Sequence, residues 1–348
     1  MAWQLLPNHE VIMKFYRSAL VLLRVVFLVL PALGQQPTQH AFMWSQKSGM
    51  KDLGSLGASS YAQAVNTSGQ VAGYFVTSSG DLHAFRWTAK DGMKDLGTLG
   101  GNFSVARGID DAGMVVGSAS KSSGAVDAVL WTATGVIKDL GTLGGSSSEA
   151  LGINRDGDMV GDSSTKGDTS THAFLKIASR RMKDLGTLGG ASSRANAVNV
   201  FRVVVGVSAT GSGDDHAFLW TKAAGMQDLG TLGQTSTAIG INDPEHVVGF
   251  SVLSGGSPFH AFLWTKSVGM QDLGTLGDSG ANSDAFGINK SGEIAGYSYM
   301  DNTNTVYHAV VWRGNSHQIS DLGTLGGKNS TSSAINAAGK IVGWSDIN

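Results

Sequence analysis

The strongest constraint on the fold is a phrase that the chain repeats seven times. The pattern H-A-F-x-W, or a close variant of it, begins at residues 40, 83, 127, 172, 216, 260 and 308. The Asp of a D-L-G-[ST]-L-G pattern stands at 52, 95, 139, 184, 228, 272 and 321, and an [IV]-[ND] pair begins at 65, 109, 153, 198, 241, 288 and 335. Self-similarity at a fixed period indicates a repeat architecture.

One repeat holds four short strand candidates, at residues 148–154, 157–163, 172–177 and 182–188. The Asn-x-x-Gly spacing between the first two suits a type I turn that ends in a glycine bulge. Four-stranded units of this length are typical of a β-propeller, whereas a parallel β-helix would need shorter coils and a cap at each end. We therefore predict an all-β fold, a single seven-bladed β-propeller of four-stranded blades over residues 40–345.

The two ends of the repeat array favour a closed ring. The chain enters on the third and fourth strands of a unit, at 40–45 and 50–56, and leaves on the first and second, at 331–336 and 339–345. Half a unit from each end makes one whole blade, and this removes the free sheet edges that promote aggregation. We expect the two ends of the chain to share the closing blade.

The repeated phrases also carry a resemblance to a known family. HAFLW, DLGTLGG and GIN-x-x-G-x-V-V-G resemble the HAF family of extracellular bacterial repeats, and the resemblance covers the chain from residue 40 onward. It implies export and a repeat architecture. It implies no catalytic or binding role for any residue.

The N-terminal segment differs from the repeats. Lys14 and Arg17 precede an apolar run at 19–30, which small residues follow, so that residues 13–34 have the pattern of a secretory signal peptide. Residues 1–12 would then reflect a mis-chosen start. The alternative is a membrane anchor, but the run is shorter than the roughly 20 residues needed. We expect a secreted, extracellular protein, or one in the periplasm or on the cell surface, without stable membrane insertion after cleavage.

Composition narrows the classes of partner. The net charge is −2 and 15% of residues are charged, so the chain has no basic face for nucleic acid. The 49 Gly suit an all-β fold rich in turns, and the absence of Cys excludes disulfides and thiolate metal sites. Neither a phosphate-binding loop nor a metalloprotease motif occurs. We expect a monomer without a cofactor or a metal site, and we assign no catalytic residue.

The recurring His and Asp have two readings. In the first, these residues form a row of acid–base or metal sites. In the second, they form a buried hydrogen-bond network that includes a nearby Thr and is repeated in each blade. An active site is needed once, whereas a structural brace is needed in every blade, so we predict a structural network. Its members are His40, His83, His172, His216, His260, His308, Asp52, Asp95, Asp139, Asp184, Asp228, Asp272 and Asp321.

One repeat departs from this pattern. Asp127 stands where the other six repeats have His, and the Asp of the same repeat is Asp139. Two facing carboxylates repel each other unless one is protonated or a cation lies between them. The sequence therefore leaves open a bound cation at this position.

Loop lengths point to a candidate binding surface. The turns inside each hairpin keep nearly constant length, whereas the connections from V-V-G to the next His, and from the Asp to the next Asn, vary. In an up-and-down blade the variable connections all lie on one face, and variable loops often carry function. The longest are in the sixth and seventh repeats. They contain the predicted ligand-binding residues Tyr297, Tyr299, Tyr307, Phe286, Asp278, Asp284 and Asp301.

These features lead to three hypotheses of function. Aromatic rings beside carboxylates suit sugars, which favours a secreted non-enzymatic binding or scaffold module for a glycan or an extracellular protein. An exported polysaccharide hydrolase or lyase is the alternative, because propellers host both roles. Its only plausible acid–base pair is Asp284 and Asp301. A purely structural envelope protein would carry no specific site.

Overall fold

The computed structural model describes residues 37–348 except residues 178, 179, 279 and 315. The predicted signal peptide at 13–34 and the segment at 1–12 lie outside the described residues. The described residues form 28 strands in seven four-stranded sheets and contain no helix, and hence none that could cross a membrane. The predicted seven-bladed β-propeller is confirmed.

The strands are numbered in chain order. The first two are β1 Gln39–Ser45 and β2 Gly49–Asp52. Blade 1 is β3 Ser60–Val65, β4 Val71–Val76, β5 Leu82–Thr88 and β6 Gly92–Asp95; blade 2 is β7 Gly100–Ile109, β8 Val115–Lys121, β9 Val126–Trp131 and β10 Ile137–Asp139. Blade 3 is β11 Gly144–Ile153, β12 Asp158–Thr165, β13 Thr171–Ile177 and β14 Lys183–Asp184; blade 4 is β15 Gly189–Val198, β16 Val204–Thr210, β17 Asp215–Thr221 and β18 Gly225–Asp228.

Blade 5 is β19 Gly233–Ile241, β20 Val247–Leu253, β21 Phe259–Thr265 and β22 Gly269–Asp272. Blade 6 is β23 Ser283–Ile288, β24 Ile294–Tyr299, β25 Tyr307–Arg313 and β26 Gln318–Asp321. The last two strands, β27 Gly326–Ile335 and β28 Ile341–Ile347, form blade 7 together with β1 and β2. β28 pairs antiparallel with β1, with Phe42 opposite Gly343, as the split ends of the array predict.

The fourth strands are shorter than the sequence pattern suggests. In blade 3 the predicted strand at 182–188 contains only β14, two residues long. The strand ends at Asp184 because its Oδ1 accepts a hydrogen bond from the Gly186 N–H at 2.8 Å, and Gly186 then turns the chain with φ of +74°. The D-L-G-T-L-G phrase is therefore a loop between blades.

The turn between the first and second strands has the predicted form. In blade 1 the Gly69 N–H donates to the Asn66 carbonyl at 3.0 Å, and Gly69 has φ of +83°. Two blades place other residues in this left-handed position, Arg202 at φ +60° and Glu245 at φ +64°. The turn geometry thus follows from the position in the repeat rather than from glycine alone.

The hydrophobic core lies between the blades. The described residues form seven core clusters, and each joins two neighbouring blades. In one cluster Phe85 and Val71 of blade 1 pack with Ala41 and Val342 of blade 7, which closes the ring. A single blade therefore has no complete core of its own, since both of its faces are covered by neighbours.

The V-V-G glycine allows the second strand to approach the first closely. The first strands contact one another around the inner ring, and each carries a β-bulge, for example between Ala195 and Ala197. A Cβ added at Gly206 would lie 1.9 Å from the Arg194 carbonyl oxygen of the bulge. Any larger residue would force the strands apart.

A ring of asparagine side chains joins the turns of successive blades. The Nδ2 of the turn Asn donates to the backbone carbonyl of the next turn, from Asn154 to Asn199 at 2.9 Å and from Asn336 to Asn66 at 2.8 Å. Asp110 is the exception in blade 2: its buried Oδ2 has no hydrogen-bond partner in the described structure. Burial accordingly raises the pKa of Asp110.

We predict that Asp110→Asn stabilises the protein by about 1–2 kcal/mol at pH 7, because an amide donates where a carboxylate cannot. Since the pKa of Asp110 is raised in the folded state, protonation favours folding as the pH falls toward the unfolded value. The advantage of the variant should therefore shrink between neutral pH and about pH 4. Urea denaturation at several pH values measures this; a gain that does not depend on pH would contradict it.

Candidate functional site

The variable connections lie on one face of the propeller. They are the loops from the second to the third strand of a blade and the loops between blades; we call this side the variable face. The turns between the first and second strands and between the third and fourth strands lie on the opposite, constant face. Each repeat His starts a third strand, and each repeat Asp ends a fourth strand, so these pairs lie at the variable face.

Six blades contain the same His–Asp hydrogen bond. The His Nδ1 and the Asp Oδ2 lie 2.7–2.8 Å apart in the pairs His40–Asp52, His83–Asp95, His172–Asp184, His216–Asp228, His260–Asp272 and His308–Asp321. The other carboxylate oxygen accepts from a glycine N–H two residues on, as Asp228 does from Gly230 at 2.7 Å. Each Asp thus fixes both the His ring and the following loop.

Two details differ from the sequence-based expectation. The pairs are half-exposed, with 20–24% of the His side chain and 35–45% of the Asp side chain accessible to solvent, apart from His260 at 9%. The Thr also does not join the pair: Thr98 donates to the Gly101 carbonyl at 2.8 Å within its own loop. The expected buried network is wrong in these respects, because the third strand opens toward solvent where the His begins it.

A buried serine that the sequence analysis missed connects every pair of neighbouring blades. The N–H of the H-A-F alanine donates at 2.8–2.9 Å to a Ser Oγ on the first strand of the next blade, at Ser60, Ser104, Ser148, Ser193, Ser236, Ser283 and Ser330. In blade 5 the Ser236 hydroxyl donates in turn to the Gly230 carbonyl at 2.6 Å. The signal was present, since a Ser stands six residues before the turn Asn or Asp in all seven repeats.

The irregular blade 2 contains its own cation. Lys121, at the end of β8, contacts the Oδ2 of Asp127, and its Nζ lies 2.9 Å from the Oδ2 of Asp139. Hydrogen bonds to Asp127 and then to Asp139 raise the pKa of Lys121. Burial would raise the pKa of Asp139, but Lys121 and the Gly141 N–H together lower it. The ammonium group therefore takes the place of a bound ion.

The predicted ligand-binding aromatic residues come together, and other rings extend the group. Ring centroids lie 5.8 Å apart for Phe286–Tyr297, 5.7 Å for Tyr297–Tyr307 and 5.3 Å for Tyr299–Tyr307. The group continues through Trp344, at 6.1 Å from Tyr307 and 5.9 Å from Tyr61, to Tyr74 at 4.8 Å from Tyr61. This aromatic cluster spans blades 6, 7 and 1, and each ring is half-buried.

Three of these rings were not identified from the sequence. Tyr74 and Trp344, like Tyr297, directly follow the V-V-G glycine of their blades, which is the signal that could have found them. Tyr297, Tyr299 and Tyr307 lie in strands rather than in loops, because the second strand runs past the V-V-G glycine and the third strand begins one residue before the His, as in other blades. Burial raises the pKa of Tyr299 and Tyr307, so both phenols remain neutral hydroxyl groups.

The predicted carboxylates are placed differently from the rings. Asp284 is buried in β23 opposite Tyr297. Asp278 is exposed, and Asp301 accepts hydrogen bonds from the Thr303 hydroxyl and N–H at 2.5 and 2.9 Å, which lowers its pKa. No hydrogen bond joins Asp278 or Asp301 to the aromatic cluster in the described part of the chain. Of the three acids, only Asp284 lies against the rings.

A charged cluster lies between the inner strands of blades 2, 3 and 4. Glu149 accepts from Arg107 Nε at 2.9 Å and from Arg194 Nη2 at 2.6 Å, and Arg194 Nε lies 3.1 Å from Asp162 Oδ1. Arg107 also lowers the pKa of Tyr74, although burial outweighs it and raises that pKa to about 12. Arg107 therefore lies close to the aromatic cluster. Two arginines and two carboxylates balance in charge.

The repeat His–Asp pairs are the candidates for metal binding or acid–base chemistry at the variable face. Among the described residues, no group of three or more His, Asp or Glu is placed to hold a metal ion. Each repeat His is paired with a single Asp on the same sheet, and the same pairing recurs in six blades. Such repetition fits a structural role better than a catalytic one.

Comparisons with known proteins extend only to the fold. No protein-family model matches the sequence, and no curated protein matches it. Among solved structures, the protein assigned as TolB from Agrobacterium tumefaciens is similar at a TM-score of 0.51 and 10% identity, over 90% of this chain and 100% of that one. TolB from Acinetobacter baumannii gives 0.47 and 13%, and the match spans 66% of this chain and 61% of that one. AofleA from Arthrobotrys oligospora gives 0.46 and 10%, over 89% and 94%.

We predict that Ser236→Ala is more destabilising than Asp228→Ala, although both residues support the same contact between blades 4 and 5. The serine variant leaves the buried Ala217 N–H unpaired, at a cost of about 1–3 kcal/mol. The aspartate variant removes a half-exposed pair, at about 0.5–1 kcal/mol. Chemical denaturation of both variants measures their free energies of unfolding. If Asp228→Ala proves the more destabilising of the two, the His–Asp pairs rather than the serines are the main stabilising contacts.

We also predict that Lys121→Thr destabilises blade 2 by about 2–3 kcal/mol at pH 7, because Asp127 would be left buried beside Asp139. The loss should diminish as the pH falls and one carboxylate is protonated. The double variant Lys121→Thr, Asp127→His gives the residue types of blades 1, 3 and 4 and should recover most of the stability. Thermal melts at pH 5 and pH 7 test this, and additive losses in the double variant would contradict it.

Proposed function

We propose that this protein is an exported, non-enzymatic binding module that holds a glycan at the variable face. The observation that carries the proposal is the aromatic cluster, a continuous group of partly exposed rings across three blades. Rings of this kind offer flat apolar surfaces to sugar rings. The export proposal rests on the signal-like segment at 13–34 and on the resemblance to HAF repeats.

Polar groups beside the rings supply hydrogen bonds for sugar hydroxyls. The Tyr61 hydroxyl donates to Gln39 Oε1 at 2.6 Å, and Gln39 Nε2 donates to the buried Asp346 at 3.0 Å. These groups already form a chain of hydrogen bonds, so their orientation is fixed before a ligand arrives. A site with rigid rings and fixed polar groups loses little entropy on binding.

The alternative of a polysaccharide hydrolase or lyase has less support. Its candidate acid–base pair needs one carboxyl group with a raised pKa to act as the acid. Thr303 lowers the pKa of the exposed Asp301, and Asp284 is buried in a strand. An extracellular protein partner is the other candidate for the same surface, and the binding assay separates it from a glycan.

The test is a glycan array probed with the wild-type protein and with Tyr299→Leu and Tyr307→Leu. Leucine keeps apolar bulk in the half-buried positions but removes the flat ring, so affinity should fall by about 1–2 kcal/mol, or roughly 5- to 30-fold. Lys290→Glu, on an exposed turn of the constant face in the same blade, is the control and should bind as wild type.

Melting temperatures of all three variants accompany the array, because Tyr299 and Tyr307 pack against each other. Both residues lie in strands, so we expect each substitution to lower the melting temperature somewhat. A folded tyrosine variant that binds glycan like wild type would overturn the site. If the wild-type protein captures an extracellular protein and binds no glycan, the result would favour a protein as the partner of this surface.

A further inference from the structure

Blade 3 departs from the repeat on the constant face, away from the aromatic cluster. Lys176 stands where the other six blades have Trp, and the following turn reads I-A-S-R-R-M in place of the usual threonine- and glycine-containing turn. The spacing from this position to the repeat Asp is still eight residues, as in most other blades. The substitution therefore changes the chemistry of the turn without changing its length.

Two hydrogen bonds join described residues on the two sides of this turn. Lys176 Nζ donates to the Arg180 carbonyl at 2.8 Å, and the Arg180 N–H donates to the Ile177 carbonyl at 2.8 Å. Beside it lies a cavity of about 120 Å³ lined by Leu175, Ile177, Arg180, Arg181 and Lys183. Two of the residues that line the cavity are apolar and three are cationic.

The cations of this cavity are not neutralised by neighbouring acids. Within the described residues, no carboxylate lies within ion-pair distance of Arg180, Arg181 or Lys183. Two acids of the same blade are already engaged: Asp184 pairs with His172, and Asp158, opposite Ile177 in the sheet, accepts from Arg202 at 2.8 Å. Lys183 instead lies over the Trp220 ring, 4.4 Å from its centroid. The result is a local excess of positive charge.

We propose that this basic cavity binds a compact oxyanion, a phosphate group, with the two exposed arginines as its main ligands. A guanidinium group presents parallel N–H donors that match two oxygens of a phosphate, and nearby Lys adds charge. Leu175 and Ile177 would contact the carbon that carries the phosphate. A free phosphate and the phosphate of a lipid headgroup present the same chemistry, and the second experiment below distinguishes them. The site is separate from the proposed glycan surface, because its residues belong to blade 3 whereas the aromatic cluster spans blades 6, 7 and 1.

The first experiment titrates the protein with inorganic phosphate and, as a control, with acetate, followed by the amide NMR signals of blade 3. We expect saturable shifts with phosphate, with Kd on the order of millimolar, and at least tenfold weaker shifts with acetate. The variant Arg180→Gln, Arg181→Gln should lose at least tenfold in phosphate affinity. Both residues are exposed, so the fold should be unaffected.

The matched control is Lys222→Gln, Lys266→Gln, which removes the same charge from the equivalent turns of blades 4 and 5. It should bind phosphate like wild type. Equal losses in the two double variants would overturn the site in favour of a nonspecific charge effect, as would the absence of saturation.

A second arm identifies the source of the phosphate, with sedimentation of vesicles of phosphatidylglycerol against vesicles of phosphatidylcholine alone. Binding to the anionic vesicles that the arginine variant loses and the lysine variant keeps would assign a lipid headgroup. Phosphate binding without vesicle binding would assign a soluble phosphate. Failure in both arms overturns the proposal and leaves the glycan site untouched.

Discussion

The whole ring depends on one hydroxyl group in each contact between blades. A backbone N–H from the third strand of one blade meets a buried serine of the next, as Ala217 meets Ser236. This N–H faces the neighbouring blade rather than its own sheet, so without the serine it would be buried unpaired. The apolar clusters supply most of the attraction between blades, and the serine fixes their register.

Departures from the repeat show how each blade adapts. Asp127 replaces a histidine, and Lys121 from the adjacent strand restores the balance of charge. Asp110 replaces an asparagine, and its Oδ2 remains without a hydrogen bond. One substitution has a compensating partner and the other has none, although both place a carboxylate in blade 2. The repeated residues thus determine the architecture of the blades, whereas residue identity at single positions differs from blade to blade.

The sequence predicted what the repeat period determines, namely the strand number, the turn with its left-handed residue and the shared closing blade. It could not predict how far each side chain is exposed to solvent. The His–Asp pairs recur as a core network would, yet the structure leaves them half-exposed. Lys121 was not identified from the sequence, because it contacts Asp127 across two neighbouring strands and this contact is not part of the repeat pattern. Trp344 was missed because it joins Tyr307 only when blades 6 and 7 are side by side.

The shared closing blade has a consequence for the order of events in folding. β1 is the first strand of the propeller and its partner β28 is the last, so Gln39 and Asp346 can pair only after every other strand has been made. Until then both β1 and the face of blade 6 that contains Val311 remain exposed. Contacts between such distant residues form slowly. A chain that crosses a membrane from its N-terminus would therefore arrive with its ring open, and closure would happen only on the far side.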